Sequence, residues 1–206
     1  MGVTMGPLAE DIGKRFTYAE YCTWDDGQRW ELIDGVPYNM KPAPTTRHQR
    51  ILGNLHLRIS SYLAGKICTP FLSPTDVVFD DHNVVQPDLL VVCDQGKITE
   101  ANIQGAPDLI IEILSPATGR KDRREKKALY ERFGVREYIV LDPLNETVER
   151  LTLSDGRYGQ PDVFGWDETI RFLVLPELEL ELWDIFEKEK AESVHERYPG
   201  YITENR

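Results

Sequence analysis

Asp108-Leu-Ile-Ile-Glu-Ile-Leu-Ser115 is the stretch on which the fold turns. An apolar run of this length, closed at both ends by turn residues, reads as a strand buried on both faces. Glu112 interrupts it. An unpaired buried carboxylate costs on the order of several kcal/mol or takes up a proton. A lysine, an arginine or a metal ion must therefore stand opposite it.

Working outward, Lys121 to Phe133 reads as a helix closed by Gly134, and Glu137 to Leu141 as an apolar strand stopped by Asp142-Pro143. Strand, helix and strand in that order imply a parallel pair with a right-handed crossover. Upstream, Phe71 to Phe79 and Val84 to Cys93 read as two strands turned at Asp80-Asp-His-Asn83, with Pro87 marking an edge or a strand start. Thr46 to Leu63 carries Ile51, Leu52, Leu55, Ile59, Tyr62 and Leu63 at helical spacing. Phe16 to Trp24 is a short helix, with Thr17 and Glu20 at capping-box spacing. Trp30 to Gly35 is a strand ending in the hairpin signal Asp34-Gly35. Thr147 to Leu153 and Ile170 to Leu182 supply further strands and hairpins, and a short helix starts at Trp183. The pattern predicts an α/β (α+β) chain: one mixed sheet, flanking helices, extra C-terminal hairpins. A single domain is expected over residues 16–187, with a leader at 1–15 and a tail at 194–206.

The chain of 206 residues is 41% apolar, which is enough for a sizeable core. No apolar stretch reaches the ~18 residues of a membrane span, and no secretory signal opens the chain. Three cysteines without close spacing argue against a disulfide framework or a cysteine zinc site, and for a cytoplasmic protein. The net charge of −11 disfavours non-specific DNA binding. However, carboxylate-bound cations change the local sign, and Arg120-Lys-Asp-Arg-Arg-Glu-Lys-Lys127 concentrates positive charge.

Four residues could carry chemistry. Asp88 enters an apolar strand much as Glu112 does, and two acids on adjacent buried strands repel unless a cation lies between them. Glu31, taken alone, is a polar position on a hairpin strand. Lys126, taken alone, is a surface lysine. Asp122, Lys126 and Tyr130, however, fall at four-residue steps on one helix face. That face adjoins the stripe of Leu129 and Phe133, so Lys126 comes within reach of the strand before it. The bland alternative is a buried acid–lysine pair that only holds the fold. His48 reads as a structural hydrogen-bonding residue, and Tyr130 as a core residue with a bonded hydroxyl.

This ordered set resembles the PD-(D/E)XK nuclease superfamily, and within it the Uma-type restriction endonucleases. The matching pieces are Trp30-Glu-Leu-Ile-Asp-Gly35, Ala43-Pro44 with His48, Gln86-Pro-Asp-Leu89 and Ile111-Glu-Ile-Leu-Ser-Pro116. Asp122, Lys126 and Tyr130 follow, then Gly134-Val-Arg-Glu-Tyr138 and Leu141-Asp-Pro143. The resemblance implies a restriction-endonuclease-like core. It also implies one Mg²⁺ or Mn²⁺ site made by Asp88, Glu112 and the backbone carbonyl of Ile113, with Glu31 assisting. Its usual lysine two positions after the second acid is Leu114 here, and Lys126 matches a relocated position on the next helix, with Lys127 its neighbour. The implied activity is metal-dependent hydrolysis of DNA phosphodiesters, leaving a phosphate and a hydroxyl, by a homodimer. A catalytically silent binding or assembly module on the same fold is the alternative. A glycosidase with paired carboxylates gives no reason for a helix lysine beside them.

Overall fold

The computed structural model describes residues 13–40, 43–115 and 121–189. The expected leader falls mostly, and the tail entirely, outside the described residues. The helices are α1 (Tyr18–Tyr21), α2 (Thr46–Leu63), α3 (Lys127–Phe133) and α4 (Leu182–Phe186). The strands are β1 (Trp30–Ile33), β2 (Val36–Asn39), β3 (Thr69–Leu72), β4 (Val77–Asp80), β5 (Asn83–Val85), β6 (Leu89–Val92) and β7 (Ile103–Gln104). They continue as β8 (Leu109–Ile113), β9 (Glu137–Asp142), β10 (Thr147–Ser154), β11 (Arg157–Tyr158), β12 (Asp162–Gly165), β13 (Thr169–Arg171) and β14 (Glu179–Glu181).

These strands build two sheets and a hairpin instead of one sheet. The first runs β2-β1-β5-β4-β7. The second runs β11-β10-β9-β8-β6-β3, with β12 also paired to β10, and β13 pairs β14. Both sheets are mixed: β4 and β7 are parallel, as are β8 and β9, where Glu112 stands opposite Val140. The two long strands expected over 71–79 and 84–93 are each broken, into β3 and β4 and into β5 and β6. Both breaks contain a proline, Pro74 and Pro87. A proline has no N–H to give a ladder, so the chain is free to leave one sheet there and enter the other. Gln86-Pro87-Asp88 is thus the point where β5 of the first sheet becomes β6 of the second.

β8 is buried throughout, as its sequence requires. The period of two sorts its side chains. Leu109, Ile111 and Ile113 face a core shared with Ile51, Leu55 and Ile59 of α2. Ile110 faces the other way, into a core with Leu129, Tyr130, Tyr138 and Val140. Glu112 is on that second face. Each fully buried aliphatic there contributes about 1.5–3 kcal/mol, so the strand is held by its apolar neighbours while one position carries charge.

The local signals hold in several places. Thr17 and Glu20 form the capping box, Thr45 Oγ1 caps α2 at His48 N, and Gly134 ends α3 at φ +82°. The helix expected from Lys121 differs in its first part. Asp122–Lys126 is a π-helical turn, and the α-helical geometry begins at Lys127. Such turns insert an extra residue into the ladder and re-aim side chains. The cysteine expectation is also corrected. Cys68 and Cys93 form a disulfide, because β3 and β6 pair with Thr69 opposite Val92 and so bring the next two residues face to face. Sequence separation concealed a pairing that the strand register creates, and the cysteine argument for a reducing compartment lapses with it. No helix among the described residues is long and apolar enough to cross a membrane.

Candidate functional site

The two sheets meet over a cavity of about 510 Å³. Glu31 reaches it from β1, Asp88 from the crossing between the sheets, Glu112 and Ile113 from β8, His48 from α2, and Asp122 and Lys126 from the π-helical turn. Seven of the eight candidate residues therefore line one space. The eighth, Tyr130, stands behind it in the core.

Lys126 is the hub. Its Nζ lies 2.8 Å from Glu31 Oε1, 2.8 Å from Glu112 Oε1 and 3.7 Å from Asp122 Oδ1. Only 2% of the residue is exposed, against 0% for Glu31 and 3% for Glu112. It is no surface lysine. Lys127, one residue on, is half-buried and is absent from the cavity lining. Tyr130 donates its hydroxyl to Glu112 Oε1 at 2.7 Å. Glu31 accepts from the backbone N–H of Gln86 at 3.1 Å through Oε1 and from Lys121 Nζ at 2.5 Å through Oε2. Asp88 Oδ2 accepts from the Ile113 N–H at 2.8 Å and lies 3.1 Å from His48 Nε2. His48 thus makes the hydrogen bond expected of it, though its Nδ1 is buried without a partner among the described residues.

Charge and burial set the protonation states. Burial alone would raise the carboxyl of Glu31, but the ammonium groups of Lys126 and Lys121 outweigh it and hold the pKa at about 2. Glu112 goes the other way. Burial pushes it up to about 8; Lys126 pulls down, while Asp122, Asp88 and Glu31 push up. Burial disfavours the charge on Lys126, but Glu112, Glu31 and Asp122 raise its pKa well above the ordinary lysine value. At neutral pH this gives an ionised Glu31, a charged Lys126 and a Glu112 that keeps a proton.

Two carboxylate oxygens, Asp88 Oδ1 and Glu112 Oε2, accept no hydrogen bond from any described residue. No group of three His, Cys, Asp or Glu side chains is gathered tightly enough to hold a metal ion by itself among the described residues. Leu114, where the superfamily pattern has its lysine, also lines the cavity, so an apolar side chain takes that place and the amine arrives from the following helix.

Sequence reasoning missed three contributors. Lys121 was visible only as part of a basic run. Its selection over the neighbouring cations depends on the π-helical turn, which leaves no mark in the pattern. Gln86 holds Glu31 through its main chain, to which side-chain identity is blind. Arg29 donates Nε to Gln86 Oε1 at 2.9 Å and lines the cavity. Its place next to the Trp30-Glu31 strand was the available signal.

The chain is similar to "Uncharacterized protein slr1290" of Synechocystis sp., at 31% identity over 114 residues, 54% of this chain. It spans about 60% of the length of that relative. Among solved structures it is similar to one described as a putative nuclease belonging to DUF820 from Anabaena variabilis, with a TM-score of 0.70 and 25% identity. That match covers 84% of this chain and 98% of the other. The Uma2 profile, described as "Putative restriction endonuclease", matches residues 17–183, most of the chain. With the ordered motifs, the restriction-endonuclease-like architecture and this profile in agreement, the chain belongs to the Uma2 family.

Proposed function

We propose that the protein is a nuclease that hydrolyses DNA phosphodiester bonds with the help of one divalent cation, Mg²⁺ or Mn²⁺. The observation that carries this reading is the meeting of Glu31, Glu112 and Lys126 within 2.8 Å contacts on the wall of a cavity that Asp88 also lines.

The residues fit a hard cation. Four carboxylates (Glu31, Asp88, Glu112, Asp122) border the cavity, and Lys121, Lys126, Arg29 and Arg47 border it with them, so the lining offers hard oxygen donors beside cations that also suit a phosphate. Asp88 Oδ1 and Glu112 Oε2 are available as oxygen ligands, and the Ile113 carbonyl is the natural third. A magnesium ion held by so few protein atoms keeps several waters. When bound, the ion would neutralise phosphate charge and acidify a coordinated water. The chain's own groups supply the rest. Tyr130 and Lys126 fix Glu112 by Oε1. His48 and the Ile113 amide fix Asp88 by Oδ2. Glu31 and Asp122 keep Lys126 charged, so that it can orient the attacking water or stabilise charge on a phosphoryl oxygen.

A second reading, a binding module without turnover, draws on one observation: no three metal-ligating side chains are gathered among the described residues. Incubation with supercoiled plasmid and with single-stranded circular DNA separates the two. The nuclease reading expects cutting of at least one of them with Mg²⁺ or Mn²⁺ that EDTA stops and that is lost in Glu112→Gln and Lys126→Met. Both substrates left intact under every metal condition, with folded protein, favour the binding module.

A further inference from the structure

Three features of the cavity are left over once the acid–lysine cluster is accounted for. The first is depth. Lys126 and Glu31, at 2% and 0% exposure, lie below the surface. An intact duplex is stiff and carries its phosphates on the outside of a broad cylinder. It cannot bring one of them down a cavity of about 510 Å³. That volume lies in the range of small-molecule sites, ~300–1,000 Å³, which suits a unit the size of one nucleotide. A strand that has left the stack can supply such a unit.

The second feature is Arg29. Its Nε is pinned on Gln86 Oε1, and Gln86 is itself anchored through Nε2 to Asp76 Oδ1 at 2.8 Å. The guanidinium is thereby oriented, yet its Nη2 is buried with no partner among the described residues. A charged donor buried without a partner is costly, and the same side chain lines the cavity, where a phosphate oxygen can pair with its guanidinium.

The third is Leu144. It borders the cavity, and at 82% exposure it is the most exposed large apolar residue described. Its turn is braced. Asp142 Oδ1 accepts from Leu144 N at 3.0 Å and from Asn145 N at 3.2 Å, and Asp142 Oδ2 accepts from Arg123 Nη2 at 3.2 Å. An aliphatic side chain held out on a rigid turn offers an apolar contact to the face of an unstacked base.

We infer that the cavity takes one unstacked nucleotide of a single strand or strand end, with its phosphate on Arg29 and its base against Leu144. This deepens the nuclease reading and rests on it for the chemistry, though not for the binding. The net charge of −11 agrees, because weak backbone attraction leaves little to hold an intact duplex. Apolar contact with a base face supplies affinity that does not depend on sequence.

The test is fluorescence anisotropy of the full chain with a labelled oligothymidylate of about a dozen nucleotides and with a blunt duplex of the same length. Ca²⁺ would replace Mg²⁺, because it fills hard oxygen sites with looser geometry. The single strand should bind at least about tenfold more tightly. Arg29→Met and Leu144→Ala should each weaken it about five- to tenfold and leave the duplex unchanged. Leu144→Ala removes an exposed side chain and keeps the fold, so it decides the matter if Arg29→Met melts early. Duplex binding as tight as single-strand binding, or a single-strand affinity that Leu144→Ala does not move, overturns the inference. Tight single-strand binding with no cleavage in Mg²⁺ or Mn²⁺ sinks only the nuclease reading. Equal cleavage of both substrates sinks only this inference.

Discussion

Lys126 Nζ and Glu112 Oε1 lie 2.8 Å apart, joined across fourteen positions of sequence by a strand, a connection and a π-helical turn. The same amine holds Glu31, from a different sheet, at the same distance. One buried ammonium therefore ties the two sheets together at the site.

Lys126→Met should lower stability by about 3–5 kcal/mol, since removing one partner of a buried ion pair leaves its acids uncompensated. Lys127→Met, at a half-buried position outside the cavity, should change stability by less than about 0.5 kcal/mol. Urea unfolding of the two variants checks this. Equal losses would mean that Lys126 is not the hub.

Glu112 gives a pH dependence with a defined sign. Its folded pKa of about 8 stands above its ordinary value of 4.5. This contribution to stability is therefore complete below about 4.5 and is lost as pH rises through about 8. Glu31, at about 2, runs oppositely: its contribution is complete above about 4.5 and is lost as pH falls towards 2. In metal-free protein, Glu112→Gln should remove the alkaline loss and melt no lower than wild type near about pH 9. An alkaline loss as large in the variant as in wild type would show that another group titrates there.

Cation binding should displace that proton. Calorimetric titration of Mg²⁺ at neutral pH, repeated in buffers of different ionisation enthalpy, should report release of about one proton. Tyr130→Phe deletes a hydrogen bond to Glu112 Oε1. It should cost about 1 kcal/mol and move the pH midpoint of cation binding upward. An unchanged midpoint would remove Tyr130 from the account of Glu112.

Thiol titration of unfolded, unreduced protein should find one free thiol, Cys22, with Cys68 and Cys93 joined. Reduction should then cost about 3 kcal/mol through the loop it reopens. Three reactive thiols would contradict the pairing.

Much of this site was legible before any coordinates, for reasons that particular residues make plain. Glu112 stood out because charge inside an apolar strand demands a partner, and Asp122, Lys126 and Tyr130 marked the helix face that supplies it. The division into two sheets was not legible. Pro74 and Pro87 announce interruptions, but a proline does not say that the chain changes sheets after it. Cys68 with Cys93, and Lys121 with Glu31, depend on strand register and on a π-helical turn, and neither has a sequence period. The helix stripe of α2 made it legible that His48 turns inward, where its Nε2 lies 3.1 Å from Asp88 Oδ2.

The account stands most directly on a crystal soaked in Mn²⁺ and measured for anomalous scattering. It predicts one peak bound by Asp88 and Glu112, with the Lys126 amine beside it. A soak at a concentration that saturates the thermal shift, yet shows no peak there or only one elsewhere on the molecule, would contradict it.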